Sequence, residues 1–181
     1  MNTQELKSIF LKSVNEYTEE LFNIGKAPEY TNKIFKTVLP KLAKELELEP
    51  KKEFVPGNVD LALLETTSDG FKRPLWVIEH ENNGAKAYEE VTKLSLLSSP
   101  NKFLITYIWD NREGRDGILK EWAKIIYNLD MNNEIGNFKK FYIAIGSMNP
   151  YSSEQLPNKF VQNIEDAWEF YEYSDSKFHR V

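Results

Sequence analysis

The chain has 181 residues, of which 41% are apolar, 28% charged and 13% aromatic, a composition that suits one globular domain and excludes a disordered chain. With 28 acidic and 23 basic side chains the formal charge is −5, which excludes nucleic-acid binding by bulk positive charge but not by a local basic face. Cysteine is absent and histidine occurs only as His80 and His179, so thiolate chemistry is excluded and any metal must be held mainly by oxygen, which favours Mg²⁺, Mn²⁺ or Ca²⁺.

The opening stretch from Met1 to Lys7 has no apolar signal core, and no apolar run approaches the roughly 20 residues of a membrane span. A cytoplasmic protein with no membrane contact is the expectation. Leu6, Ile9, Phe10, Val14, Tyr17, Leu21 and Ile24 recur at helical spacing and predict a helix over 3–24, with Gly25 as its stop and Pro28 just beyond. Ile34, Val38, Leu42 and Leu46 predict a second helix over 29–48, kinked or split by Pro40. Strands are expected at 52–55, 59–66 and 74–81, with Pro56-Gly57-Asn58 between the first two and an Asp69-Gly70 hairpin between the others. A helix follows over 85–97, then a buried strand over 102–109. A polar loop over 111–117 carries Arg112 and Arg115, and Asp116 caps a helix over 117–129. A short strand lies at 141–145, and 167–173 reads equally as edge strand or helix. This order predicts an α/β fold with a mixed central sheet flanked by helices on both faces.

The acids carry the functional signal. Asp60 opens one strand, and Glu79 and Glu81, two apart in the next, point to one face. A hairpin centred on Asp69-Gly70 sets Asp60 opposite Glu79, with Cβ atoms roughly 5 Å apart; a slip of two leaves them diagonal neighbours. Like charges across a ladder repel, and a divalent cation removes the objection. The plain alternative is three solvated acids at strand ends. Glu53 faces Asp60 if the preceding turn centres on Pro56-Gly57; otherwise it is an exposed strand residue.

Asp60 followed by Glu79-His80-Glu81 resembles the active-site signature of the PD-(D/E)xK nuclease superfamily. That superfamily's core of helix, three strands, helix and strand is the order read here from the second helix onward. The resemblance covers about residues 30 to 110 and rests on a short motif. The superfamily's lysine is replaced by Glu81, an E-x-E variation that some type II restriction endonucleases share, and Val59 stands where its proline is expected. The segments 78–82, 90–94 and 103–107 resemble uncharacterised members.

The resemblance implies a restriction-endonuclease-like core over 50–150, preceded by a helical part over 1–48 and followed by an extension over 151–181, all in one domain. It implies that Asp60 and Glu79 bind Mg²⁺ or Mn²⁺, and that Glu81 acts as general base or ligates a second metal. Lys93, in the following helix, is the candidate for the displaced cation; its alternative is an ion pair with Glu89. Lys86 is a weaker candidate. Glu16 and Glu20 are weighed as an extra helical acid against a solvated helix face, and Arg112 and Arg115 as DNA-backbone contacts. His80 faces away from the acids and reads as a packed histidine. Asn82 and Asn83 begin a loop, and Trp109, Trp122 and Trp168 read as core anchors. The expected activity is metal-dependent phosphodiester hydrolysis in DNA, and cutting a duplex implies two sites, hence a homodimer or a partner protein. The rivals are an inactive nuclease-fold protein that binds nucleic acid or a protein partner, and a calcium-stabilised interaction domain.

Overall fold

In the computed structural model, which describes residues 3–22, 24, 27–55, 57–109, 112–130, 140–148 and 168–181, the first apolar stripe forms two helices rather than one. Helix α1 (Thr3–Asn15) buries Leu6, Phe10 and Val14, and α2 (Thr18–Phe22) follows after a tight turn in which the Tyr17 N–H donates to Val14 O at 3.0 Å. The break falls between Asn15 and Thr18. Gly25, the expected stop, lies outside the described residues. Pro28 does not terminate a helix: it lies in the first turn of α3 (Ala27–Lys33), where its missing N–H has no partner to lose.

Pro40 splits the second expected helix. Between α3 and α4 (Leu39–Glu45) residues Ile34–Val38 form a widened π turn, and the Leu39 N–H donates to Ile34 O, five residues back. The wider turn accommodates a ring that would otherwise crowd the carbonyl four residues before it.

The sheet has seven strands in chain order: β1 (Glu49–Phe54), β2 (Val59–Thr66), β3 (Lys72–Glu81), β4 (Asn101–Trp109), β5 (Lys140–Met148), β6 (Trp168–Ser174) and β7 (Lys177–Arg180). The two antiparallel ends, β1-β2-β3 and β5-β6-β7, flank a parallel centre, β3-β4-β5. The expected mixed α/β architecture is therefore present. Of the segment 167–173, residues 168–173 lie in strand β6 and Ala167 lies outside the described residues; β7 is an additional strand. Its turn uses Asp175 and Ser176, both at positive φ (50° and 63°), the geometry of a two-residue type I′ hairpin without the usual glycine. Edge strand β1 is exposed over Glu49–Glu53 and carries Pro50, the adjacent charges of Lys51 and Lys52, and a positive φ at Glu53.

The two faces of the sheet carry separate cores. One packs Leu6, Phe10, Ile34, Val38 and Leu42 against Leu61, Leu63, Ile78, Phe103 and Ile105. The other packs α5 (Tyr88–Leu96) and α6 (Arg112–Asp130) against Ala62, Val77, Leu104, Ile143 and Ile145. Helix α5 is entered through a 3₁₀ turn, Gly84–Lys86, so the helix expected from Ala85 begins later. Its C-terminal carbonyls are held by the fully buried Lys102 of β4, whose Nζ donates to Ser95 O (3.1 Å) and Leu97 O (2.7 Å). A cation at a helix C-terminus complements its dipole, which explains a lysine inside an otherwise apolar strand. Helix α6 starts at Arg112, five residues before the expected start. Asp116 is an internal residue rather than its cap, and Arg115 is buried in an ion pair with Glu169 instead of lying on a loop. The side chains of Arg112 and Trp109 lie outside the described residues, as do residues 151–167 of the expected extension. Trp122 and Trp168 are core residues. Among the described residues no helix is long and apolar enough to cross a membrane.

Candidate functional site

The hairpin β2–β3 builds the site through two departures from a simple two-residue turn. The loop has three residues, Ser68–Gly70: Thr67 N–H donates to Phe71 O (2.8 Å), Gly70 N–H donates to Thr67 O (2.9 Å), and Gly70 takes φ +84°, a tight turn closed by a residue that favours glycine. Near the loop Glu65 therefore pairs with Arg73 and Leu64 with Pro74. A bulge then shifts the register by one residue, so that Leu63 pairs with Trp76 and Leu61 with Ile78. The bulge falls beside Pro74, which has no N–H for the ladder. One step beyond Leu61–Ile78, Asp60 comes to stand opposite Glu79.

The two carboxyls meet on the α5 face of the sheet. Glu79 is only 2% exposed, and Asp60 is half-buried. Asp60 Oδ2 accepts the backbone N–H of His80 at 2.9 Å, which fixes it against β3. Lys93 of α5 donates Nζ to Glu79 Oε1 at 2.9 Å. Burial and the charge of Asp60, with a hydrogen bond between the two carboxyls, push Glu79 up to about 7, and Lys93 opposes the rise. Lys93 is itself raised: burial works against its charge, but the hydrogen bond to Glu79 and the charges of Glu79, Asp60 and Glu90 outweigh it. Lys93 pairs with Glu79 rather than with Glu89, the ion pair weighed as its alternative.

Glu81 shares the face of Glu79 by strand alternation. Its Oε1 accepts the Asn83 N–H at 2.8 Å. Among the described residues no three carboxylates or imidazoles are arranged to hold a metal ion together; the fold brings together the pair Asp60 and Glu79, with Glu81 at its rim. Glu53 lies at the register position facing Asp60 but is exposed, its backbone at φ +47°. Lys86 is exposed on the 3₁₀ turn. Glu16 and Glu20 form surface ion pairs with Lys41 and Lys33, far from the site.

His80 points to the opposite face, as expected. Its Nε2 lies 3.0 Å from the Tyr107 hydroxyl and its ring packs edge-on to Phe35 and Tyr107. Burial pushes it down to about 4, so it is neutral near pH 7. Asn82 ties the end of β3 to α3 through the Thr31 hydroxyl (2.8 Å), and Asn83 Oδ1 caps the 3₁₀ turn by accepting the Ala85 N–H (3.1 Å). The Asn82–Thr31 contact braces the strand end that carries Glu79 and Glu81 from the face opposite the acids.

One residue beyond those expected belongs to the site. Glu90 stands one turn before Lys93 on α5, is raised by burial and by the nearby Glu81, and has a buried Oε2 without a hydrogen-bond partner among the described residues. Its spacing of three from Lys93 places both on one helix face, and that was the available signal.

The donor set fits a hard divalent cation. Both groups are carboxylates, and Mg²⁺ is usually held by one or two protein carboxylates plus water and substrate. The two in contact carry one more negative charge than Lys93 neutralises, and Glu79 meets that excess with a proton near pH 7. Comparison with known proteins adds no assignment: no family model matches the chain, and no curated protein matches it.

Proposed function

We propose that the chain is a divalent-cation-dependent phosphodiesterase acting on DNA, on a restriction-endonuclease-like core. The observation that carries this reading is the contact of Asp60 with Glu79 under the ammonium of Lys93. It is the acid–acid–cation constellation of the resembling superfamily, with the cation supplied by a helix instead of the strand. Asp60 and Glu79 would hold Mg²⁺ or Mn²⁺. The chemistry such an ion supplies is a lowered water pKa and neutralised phosphate oxygens. Lys93 keeps a positive charge beside the pair and orients the Glu79 carboxylate. Glu81, half-buried at the rim, would accept the proton of an attacking water.

Incubating the protein with Mg²⁺ or Mn²⁺ and labelled plasmid or single-stranded DNA tests the reading. The wild type is expected to cut, and Asp60→Asn to lose at least a hundredfold. At pH 8 the cation should also raise the melting temperature of the wild type but not of Asp60→Asn. Equal behaviour of the two proteins in both assays overturns the proposal. A cation-dependent melting shift without cleavage favours the second reading, an inactive nuclease-fold binding protein. That reading is supported by Glu81 at the lysine position and by Lys93 already occupying one oxygen of Glu79.

A further inference from the structure

A second feature shares the sheet face of the acids. Between α6 and the edge strand β7 runs a groove of about 620 Å³. Its lining holds five cations, among them Lys120, Lys124, Lys177 and Arg180, against two carboxylates, Asp116 and Glu169, and Lys124 is paired with Glu121 beside the groove. Arg115 and Arg180 both pair with Glu169, so that trio is itself net positive. Lys120 and Lys177 are exposed and make no ion pair among the described residues. In a chain of net charge −5, this is a local reversal of sign, the footprint of a polyanion site.

The groove is also aromatic. Tyr127 lines it at 48% exposure, one of few large apolar side chains so open, and Phe178 lies half-buried beside it. Cations that track a backbone, interleaved with aromatic rings on which bases stack, are the recurring solution for single strands. A duplex hides its base faces and would leave Tyr127 without use.

The register places groove and acids on one line. Glu79 pairs with Leu104, Leu104 with Ile143, Ile143 with Tyr171, and Tyr171 with Arg180. This transverse row has all its side chains on one face. It runs from the acid pair to the groove in four strand spacings, roughly 19 Å. The middle of the row, Leu104 and Ile143, is buried beneath α5 and α6, so the row fixes the separation of groove and acids and is not itself a path for the ligand.

We infer that the α6–β7 groove binds the backbone and bases of a single-stranded DNA segment, with Lys120 and Lys177 on its phosphates and Tyr127 stacked on a base. For the class of ligand this rests on the phosphodiesterase reading, and it adds a strand preference and a place.

The test is fluorescence anisotropy of a labelled single-stranded oligonucleotide, without divalent cation, over a salt series on the full chain. The wild type should bind the single strand at least tenfold tighter than the same sequence as duplex. Lys120→Glu with Lys177→Glu should weaken binding at least tenfold and flatten the salt dependence by about 1.4 in log–log slope. The milder pair Lys120→Gln with Lys177→Gln should do so to a smaller extent. Tyr127→Ala should lose roughly tenfold with the slope unchanged. The groove assignment is overturned if the wild type does not bind, or if the groove variants bind like it. It is also overturned if duplex binds equally well, if a polyglutamate peptide competes at equal charge, or if the variants change only the oligomeric state. Asp60-dependent cleavage with unaffected groove variants removes the groove alone. Groove-dependent binding without cleavage removes the catalytic reading alone.

Discussion

Glu79, buried beside Asp60, is pushed up to about 7 from an ordinary value near 4.5. The folded state thus holds this proton more tightly than the unfolded chain does, and stability falls as pH rises from about 4.5 to about 7, the cost being complete above that. A difference of this size corresponds to roughly 3 kcal/mol. Glu79→Gln is therefore expected to be more stable than the wild type by about 2 kcal/mol at pH 8 and no more stable at pH 4.5. Urea unfolding at the two pH values checks this, and an offset independent of pH would show that Glu79 is not the titrating group. Asp60, Glu79 and Lys93 were all legible in the sequence, because acids set into apolar strand sequence and a cation one helix later stand out. The partner of Lys93 was not. Helical spacing shows Glu89 as a neighbour but says nothing of the strand beneath, and for the same reason it left Glu90 unremarked.

Among the elements, the entry to α5 is the most constrained. A Cβ added at Gly84 would lie 2.5 Å from Ile108 Cγ1 and 3.0 Å from Tyr107 O, so only glycine lets this turn lie against β4. Gly84→Ala should cost about 1–3 kcal/mol and displace the helix that carries Glu90 and Lys93. A thermal melt reads the first effect. An NMR titration of Glu79 reads the second, since withdrawal of Lys93 moves that carboxyl further up; an unchanged melt and titration would show that the turn yields freely. The hairpin next to it was legible for a partly accidental reason. The loop is one residue longer than an Asp-Gly signal suggests, and the bulge beside Pro74 restores the register, so the acids face each other as a simple turn would have them. By contrast β7 gave no sequence signal, because its turn uses Asp175 and Ser176 at positive φ without a glycine. The break in the first helix and the early start of α6 were hidden as well, since an apolar stripe shows which face is buried and not where the backbone ladder stops.

Over the whole molecule, the sheet brings residues far apart in sequence onto shared rows. Phe10 of α1 packs edge-on against Phe103, Trp168 and Phe170, so the first helix is seated on the last strands. The mixed α/β class followed from the alternation of helical and strand periods. The row joining Glu79 to Arg180 did not, because it depends on four successive pairings that no local pattern encodes. The outer strand β1 has a consequence of another kind, for behaviour at high concentration. An open edge is a template on which further chains can add and grow into fibrils. Here Pro50 withholds a donor, Lys51 and Lys52 repel an identical strand, and the backbone at Glu53 turns out of extended geometry. Replacing Pro50 and Lys52 by valine should turn a well-behaved solution into one that scatters light and binds amyloid dyes within hours, with the wild type remaining clear. If both stay clear, the edge is guarded by something other than its own sequence.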